Sequence, residues 1–232
     1  MKNISPSEVA SRDDHRDYLT LLNKYRMAID AGTQFYGANF KERITAMLSA
    51  GEDGVYTNSL RYIFELIQNV DDCEFRERTN CSLRINFDEQ AGKIILFYNE
   101  TGFTPFNVFA VTGIAEAAKN ISDGNVQIGE KGIGFKSVFG VAHRVWIQSG
   151  KFSFELDGKN FCVPIPVYDA RYEEIPGTKL TLFMESSKVR DTYKKICKNY
   201  RNSDAVFQNN PILFLNKLTD ISLSLIHISE PT

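Results

Sequence analysis

The chain has 232 residues, with 27 Lys and Arg against 29 Asp and Glu, for a net charge of −2. That length fits one domain or one with an appendage, and 43% apolar with 24% charged residues fits a packed core and excludes wholesale disorder. The near-neutral balance, with no long Lys/Arg block, excludes a general electrostatic surface for nucleic acid, and no apolar run approaches the ~20 residues that span a bilayer. The opening MKNISPSEVASRDDHRDY has no apolar core of a secretory signal, and Cys73, Cys81, Cys162 and Cys197 show no CxxC spacing. Reduced thiols and an intracellular location, cytoplasmic or nuclear, are expected.

In chain order, residues 7–50 are predicted helical. Leu19, Leu21, Leu22, Tyr25, Met27 and Ile29 interleave with charges, and FKERITAMLSA reads as a second short helix before Gly51. Asn58 or Ser59 is a candidate cap for a helix from Leu60 to about Arg76. Leu83, Ile85 and Phe87, then KIILFYN, alternate with period two around Glu89–Gly92, which predicts a hairpin. Residues 104–120 are helix-like, and ISDGNVQIGEKGIGFKS is glycine-rich and leads into SVFGVA. HRVWIQS, KFSFELD and GTKLTLFM predict three strands, PIPVYDARYEEIPG a long connection, and Val189–Phe207 a charged surface helix. The closing ISLSLIHISEPT is apolar and strand-like. It resembles translated adapter sequence, so a truncated end is one reading of it, and no function is rested on these residues. Helices, two strands, a helix and a run of strands predict an α+β fold, a two-layer sandwich with a mixed, mainly antiparallel sheet.

Four segments carry chemistry. On the helix from Leu60, Arg61, Glu65, Gln68, Asn69 and Asp72 form one stripe, and Tyr62, Ile63, Phe64, Leu66, Ile67, Val70 and Cys73 fill the rest. A solvated face is the plain reading, but the polar stripe is narrow and made of short carboxylates and amides. Such oxygens at i, i+4 and i+7 can hold a hydrated divalent cation and orient a water. Gly129-Glu130-Lys131-Gly132-Ile133-Gly134-Phe135-Lys136-Ser137 concentrates glycines that let a backbone approach an anion closely, without P-loop, dinucleotide-fold or kinase partners. YNETGF at 98–103 closes a strand, where a simple turn is the alternative, and GTKLTL at 177–182 opens one. His15, His143 and His227 lack metal-ligand spacing and read as surface or packing residues. Cys73, Trp146 and the Phe-rich run 152–156 read as core.

In this order, ELIQNVDD, NETGF, IGEKGIGFKS and GTKLTL resemble the GHKL ATPases, which include DNA gyrase, the ninety-kilodalton heat-shock chaperones, histidine kinases and mismatch-repair ATPases. The resemblance covers about residues 56–185 and looks closest to the sacsin-like and No Vein-like branch. It implies a Bergerat fold, helices over one face of a sheet, with ATP and Mg²⁺ between the helices and a mobile lid at 104–127. It implies Glu65 as general base, Asn69 as Mg²⁺ ligand and Asp72 beside the nucleotide. It implies Gly129, Gly132 and Gly134, with the amides about Ile133 and Phe135, as the phosphate cradle, and Thr178 at the adenine. Lys131 is a candidate phosphate contact, and Lys136 is the other nearby cation. The family's adenine-reading Asp is replaced here, so Asn99 or Glu100, before Gly102, supplies that acceptor. The implied organisation is a helical extension at 1–55, the ATP-binding domain at 56–187, and a C-terminal helix with the doubtful tail at 188–232. The implied function is a slow, Mg²⁺-dependent ATPase module of a larger chaperone-like or signalling protein, with ATP/ADP and downstream domains as partners and neither nucleic acid nor membrane. A nucleotide-binding switch without turnover is the alternative, and an interaction domain that binds no nucleotide is a third.

Overall fold

The computed structural model describes residues 12–33, 60–76, 80–113, 131–201 and 215–226. The helices are α1 (Arg12–Thr33), α2 (Arg61–Asp71), α3 (Pro105–Val111), α4 (Lys131–Lys136) and α5 (Ser186–Arg201), and a 3₁₀ turn at Ser137–Gly140 follows α4. The strands are β1 (Ser82–Asp88), β2 (Lys93–Tyr98), β3 (Arg144–Gly150), β4 (Phe152–Asp157), β5 (Asn160–Pro166), β6 (Ile175–Phe183) and β7 (Asp220–Ile226). They form one sheet in the order β5-β4-β3-β6-β2-β1-β7, antiparallel throughout except for the parallel pair β1–β7.

Side chains alternate across a pleated sheet, and here one face collects Leu83, Ile85, Phe87, Ile94, Leu96, Val145, Ile147, Phe152, Phe154, Leu180 and Leu182, all buried. The helices cover that face. His15 and Tyr18 of α1 set their rings against Phe152, and Tyr193 of α5 sets its ring against Phe87. The Tyr62 and Thr192 hydroxyls, 2.8 Å apart, tie α2 to α5. The two-layer α+β sandwich expected from the sequence is therefore the architecture. Among the described residues no helix is long and apolar enough to cross a membrane.

Several elements differ from the sequence expectation. The helix from Leu60 ends at Asp71 instead of Arg76, because Phe75 leaves it to bridge Glu100 and the Thr101 amide bonds the Glu74 carbonyl at 2.9 Å. Its N-cap is Leu60, without a side-chain cap; Asn58 and Ser59 lie outside the described residues, as does the helix predicted at 40–50. The 104–120 helix ends at Val111, capped by Thr112, and residues 114–120 lie outside the described residues. The connection predicted from Pro164 begins later, because Asn160–Pro166 is a strand. Pro164 and Pro166 argue against a central strand, but β5 is at the sheet edge, where a missing N–H breaks no ladder. Trp146 is not core: it lies half-buried on the outer sheet face, with Arg171 and Lys179 over its ring and Nε1 donating to Ser153. The N-terminal segment packs through α1 on the β4–β5 edge, where Leu19 is buried and Asn23 donates to the Pro164 carbonyl at 2.7 Å.

Candidate functional site

Two groups of candidate residues come together, one where α2 packs on α4 and one at the ends of β2, β3 and β6. On α2 the apolar side, Tyr62, Ile63, Leu66, Ile67 and Val70, is buried, and this orients the opposite stripe. Glu65 is a third exposed and pairs with Arg61 at 3.5 Å. Across from it stands Gly134 of α4, where a Cβ would lie 2.8 Å from Glu65 Oε2. The absence of a side chain at 134 thus lets the glycine-rich segment and the α2 carboxylate meet. Asn69, one turn after Glu65, is half-buried, and Asp72 at the helix end is exposed.

The second group lies under the ends of the central strands. Gly177 has φ +120, and a Cβ there would collide with the Tyr98 carbonyl, so only glycine lets β6 start this close to β2. That approach places Thr178 beside Tyr98 and Ser149 in register. Thr178 Oγ1 donates to Glu100 Oε1 and shares a hydrogen bond with Ser149 Oγ, while Ser149 Oγ accepts from the Phe103 amide at 2.7 Å. Burial raises the Glu100 carboxyl above its ordinary range, partly offset by donors from Thr178, the Gly102 amide, Ser149 and Thr101. Burial likewise holds the Tyr98 phenol well above its usual value. Gly102, with φ +95, lies against Gly150 and Ser149.

The structure separates the two acceptors that the sequence left open. Asn99 is spent on the chain: Oδ1 accepts from the Ser82 amide at 2.8 Å, and Nδ2 donates to the Asn80 carbonyl at 2.6 Å. Glu100 is buried at the head of the Thr178–Ser149 network. The Phe75–Glu100 bridge then joins this network to the end of α2. Thr178 and Glu100 are thus brought together, and so are Glu65 and Gly134.

Lys136 departs from expectation. It does not face a phosphate cradle: it is 2% exposed, and its Nζ donates to the carbonyls of Val111 and Phe161, both at 2.6 Å. At 100° per residue it stands about 200° around the helix from Gly134, on the side away from Glu65. Burial pushes its ammonium down to about 8, with Cys162 opposing and Arg26 reinforcing that shift. Gly129 lies outside the described residues, as do the side chains of Lys131 and Ile133 and most of the segment expected as a lid. Gly132 and Ile133 sit within α4, and Phe135 is buried against the core. Ser149 was not singled out from the sequence; its pairing with Thr178 is visible only once β3 and β6 are in register. Among the described residues no group of three or more His, Cys, Asp or Glu is placed to hold a metal. An ion held by one amide oxygen and by phosphate oxygens would need none.

No family profile matches the chain. It is similar to Protein NO VEIN of Arabidopsis thaliana, 36% identical over 115 residues, which is 50% of this chain and 4% of that protein. It is also similar to Chaperone protein HtpG of Rickettsia prowazekii, 26% identical over 219 residues, covering 80% of this chain and 34% of that one. HtpG of Rickettsia typhi is 25% identical over the same span. The chain thus spans about a third of the HtpG proteins and a small fraction of NO VEIN. These similarities support a relationship to the GHKL-like ATPase superfamily and to no particular branch of it.

Proposed function

We propose that residues 56–187 form a Mg²⁺-dependent ATP-binding module with slow hydrolysis, part of a larger chaperone-like or signalling protein. The observation that carries this reading is the pairing, two by two, of four segments distant in sequence: Glu65 meets Gly134, and Glu100 meets Thr178. The similarity to HtpG chaperones over most of the chain supports it.

In this reading Glu100 accepts from the adenine amino group, with Thr178, Ser149 and Gly102 shaping that end, while Asn99 stays with the backbone. Gly129, Gly132 and Gly134, with the amides of Ile133 and Phe135, receive the phosphates, and Lys131 is the cation among them. Asn69 would supply a hard amide oxygen to Mg²⁺, and Asp72 would lie beside the nucleotide. When bound, the ion neutralises phosphate charge. Glu65 takes the proton of the attacking water. Slow turnover follows from the cations: transition-state charge on the γ-phosphate calls for positioned positive groups worth ~10³–10⁵-fold, and Lys136 is committed elsewhere.

Calorimetric titration with ATP, ADP and adenosine, with and without Mg²⁺, tests the reading. Saturable binding of ATP that strengthens with Mg²⁺ is expected, and no binding of any of the three would overturn it. Asn69→Ala is expected to lose that Mg²⁺ enhancement, weakening Mg·ATP by about tenfold or more, the ~1.4 kcal/mol of one good contact. Undiminished Mg·ATP affinity would remove Asn69 as the ligand. Gly134→Ala is expected to fold, because its Cβ meets only the mobile end of Glu65. Displacing that carboxylate should slow hydrolysis more than it weakens ATP binding, and phosphate-release rates at saturating ATP will read the difference.

A further inference from the structure

We infer that Lys136 is a positioning residue for the phosphate-binding turn, fixing the glycine-rich helix to the ends of α3 and β5 without touching nucleotide. The inference rests on the reading of that turn as a phosphate site. Its basis is geometric. Lys136 Nζ reaches Val111 O at the end of α3 and Phe161 O in β5, so one side chain joins three elements. The last carbonyls of a helix have no partner within it and form its negative end, which suits a cation. A second cation acts on the same turn: Arg26 of α1, 3% exposed, donates Nη2 to Phe109 O at 3.1 Å, with its guanidinium 4.5 Å from the Phe109 ring centroid. Gly113, just beyond, lies close enough that a Cβ would sit 3.6 Å from the same Nη2.

Burying an ammonium is costly, and an apolar side chain of similar length would avoid that cost. What the apolar chain could not do is hold two carbonyls in fixed directions. Lys136 lies two residues beyond Gly134, so the position of α4 against α3 and β5 also sets the position of Gly134 against Glu65. Releasing the anchor lets α4 drift, and geometry at a charged ligand is sensitive to displacements of about 1 Å. The adenine end, built from Glu100 just past β2, Thr178 of β6 and Ser149 of β3, uses no residue of α4. Loss of Lys136 should therefore separate the phosphates from the base.

The test compares the parent chain with Lys136→Met and Lys136→Arg in titrations with Mg·ATP and with adenosine, after cooperative melting has been verified. Lys136→Met is expected to weaken Mg·ATP by about tenfold or more while adenosine stays within about twofold, and Lys136→Arg to recover most of the loss. Unchanged ATP affinity in Lys136→Met would overturn the inference, as would equal losses for both ligands with no recovery by arginine. If Lys136→Met fails to fold, Lys136→Gln, which keeps a donor, is read by the same split between the ligands. A parent that binds neither ligand would overturn both this inference and the function on which it rests, whereas a parent that binds both with no split in the variants would overturn this inference alone.

Discussion

Glu65→Ala is expected to bind Mg·ATP about as the parent does and to hydrolyse it ~10²–10⁴-fold more slowly, the usual loss on removing a positioned base. The expectation follows from where Glu65 stands. It faces the glycine-rich helix at Gly134 from the polar stripe of α2 and is a third exposed, so it touches the proposed phosphate site and remains reachable by water. Its ion pair with Arg61, 3.5 Å away, orients the carboxylate but also competes for its lone pairs. Single-turnover hydrolysis with trapped nucleotide, set against equilibrium ATP affinity, checks the assignment. If both fell together, Glu65 would be a binding or folding residue; if neither changed, Glu65 would not be the general base, and a parent without measurable turnover would favour the switch. Because the parent is itself expected to be slow, the comparison needs single-turnover conditions.

The sequence already contained the pairing of motifs but not the details that decide roles. Glu65 and the glycines are chemically distinctive at fixed spacing, so their segments stand out without coordinates. β5 did not stand out because its prolines contradict a strand anywhere but at an edge, and edge position is a property of the whole sheet. The choice between Asn99 and Glu100 needed the backbone: adjacent residues at a strand end point to opposite sides, and only the hydrogen bonds to Asn80 and Ser82 identify the one spent on the chain. The place of Lys136 is a different case. Closeness in sequence to the glycines makes Lys136 a nearby cation, whereas helical periodicity from Gly134 turns it to the far side. The same periodicity bears on Asp71. It lies one residue after Val70 and four after Ile67, on the buried side of α2, whereas its neighbour Asp72 falls on the polar stripe.

Asp71→Ala is accordingly expected to cost about 3–5 kcal/mol of folding stability, a large share of the ~5–15 kcal/mol that holds a domain together. The Asp71 carboxylate is 4% exposed and accepts three backbone amides at 2.8 Å, Asn216 on Oδ2 and Lys217 and Leu218 on Oδ1. Lys217 returns the contact, donating Nζ to the carbonyls of Asp72 and Cys73 at the end of α2. Alanine would leave all three amides without their carboxylate acceptor, whereas Asp71→Asn keeps one acceptor oxygen and should lose less. Burial alone would raise the carboxyl, but the three amides and the Lys217 ammonium outweigh it and hold it below its ordinary 3.8. A carboxyl lowered in the folded state contributes stability that is complete above the unfolded value and is lost as pH falls through the lower, folded one. Urea midpoints measured from pH 6 down to pH 3 should therefore fall more steeply in the parent than in Asp71→Asn, converging at the acid end. Parallel curves would show that the carboxylate charge adds nothing to the anchor, and an unchanged midpoint in Asp71→Ala would show that residues 216–218 hold their place without it. The expected outcome ties the segment at 215–219 to the helix that carries Glu65 and Asn69, so that the chain leading into β7 and the proposed nucleotide helix unfold as one unit.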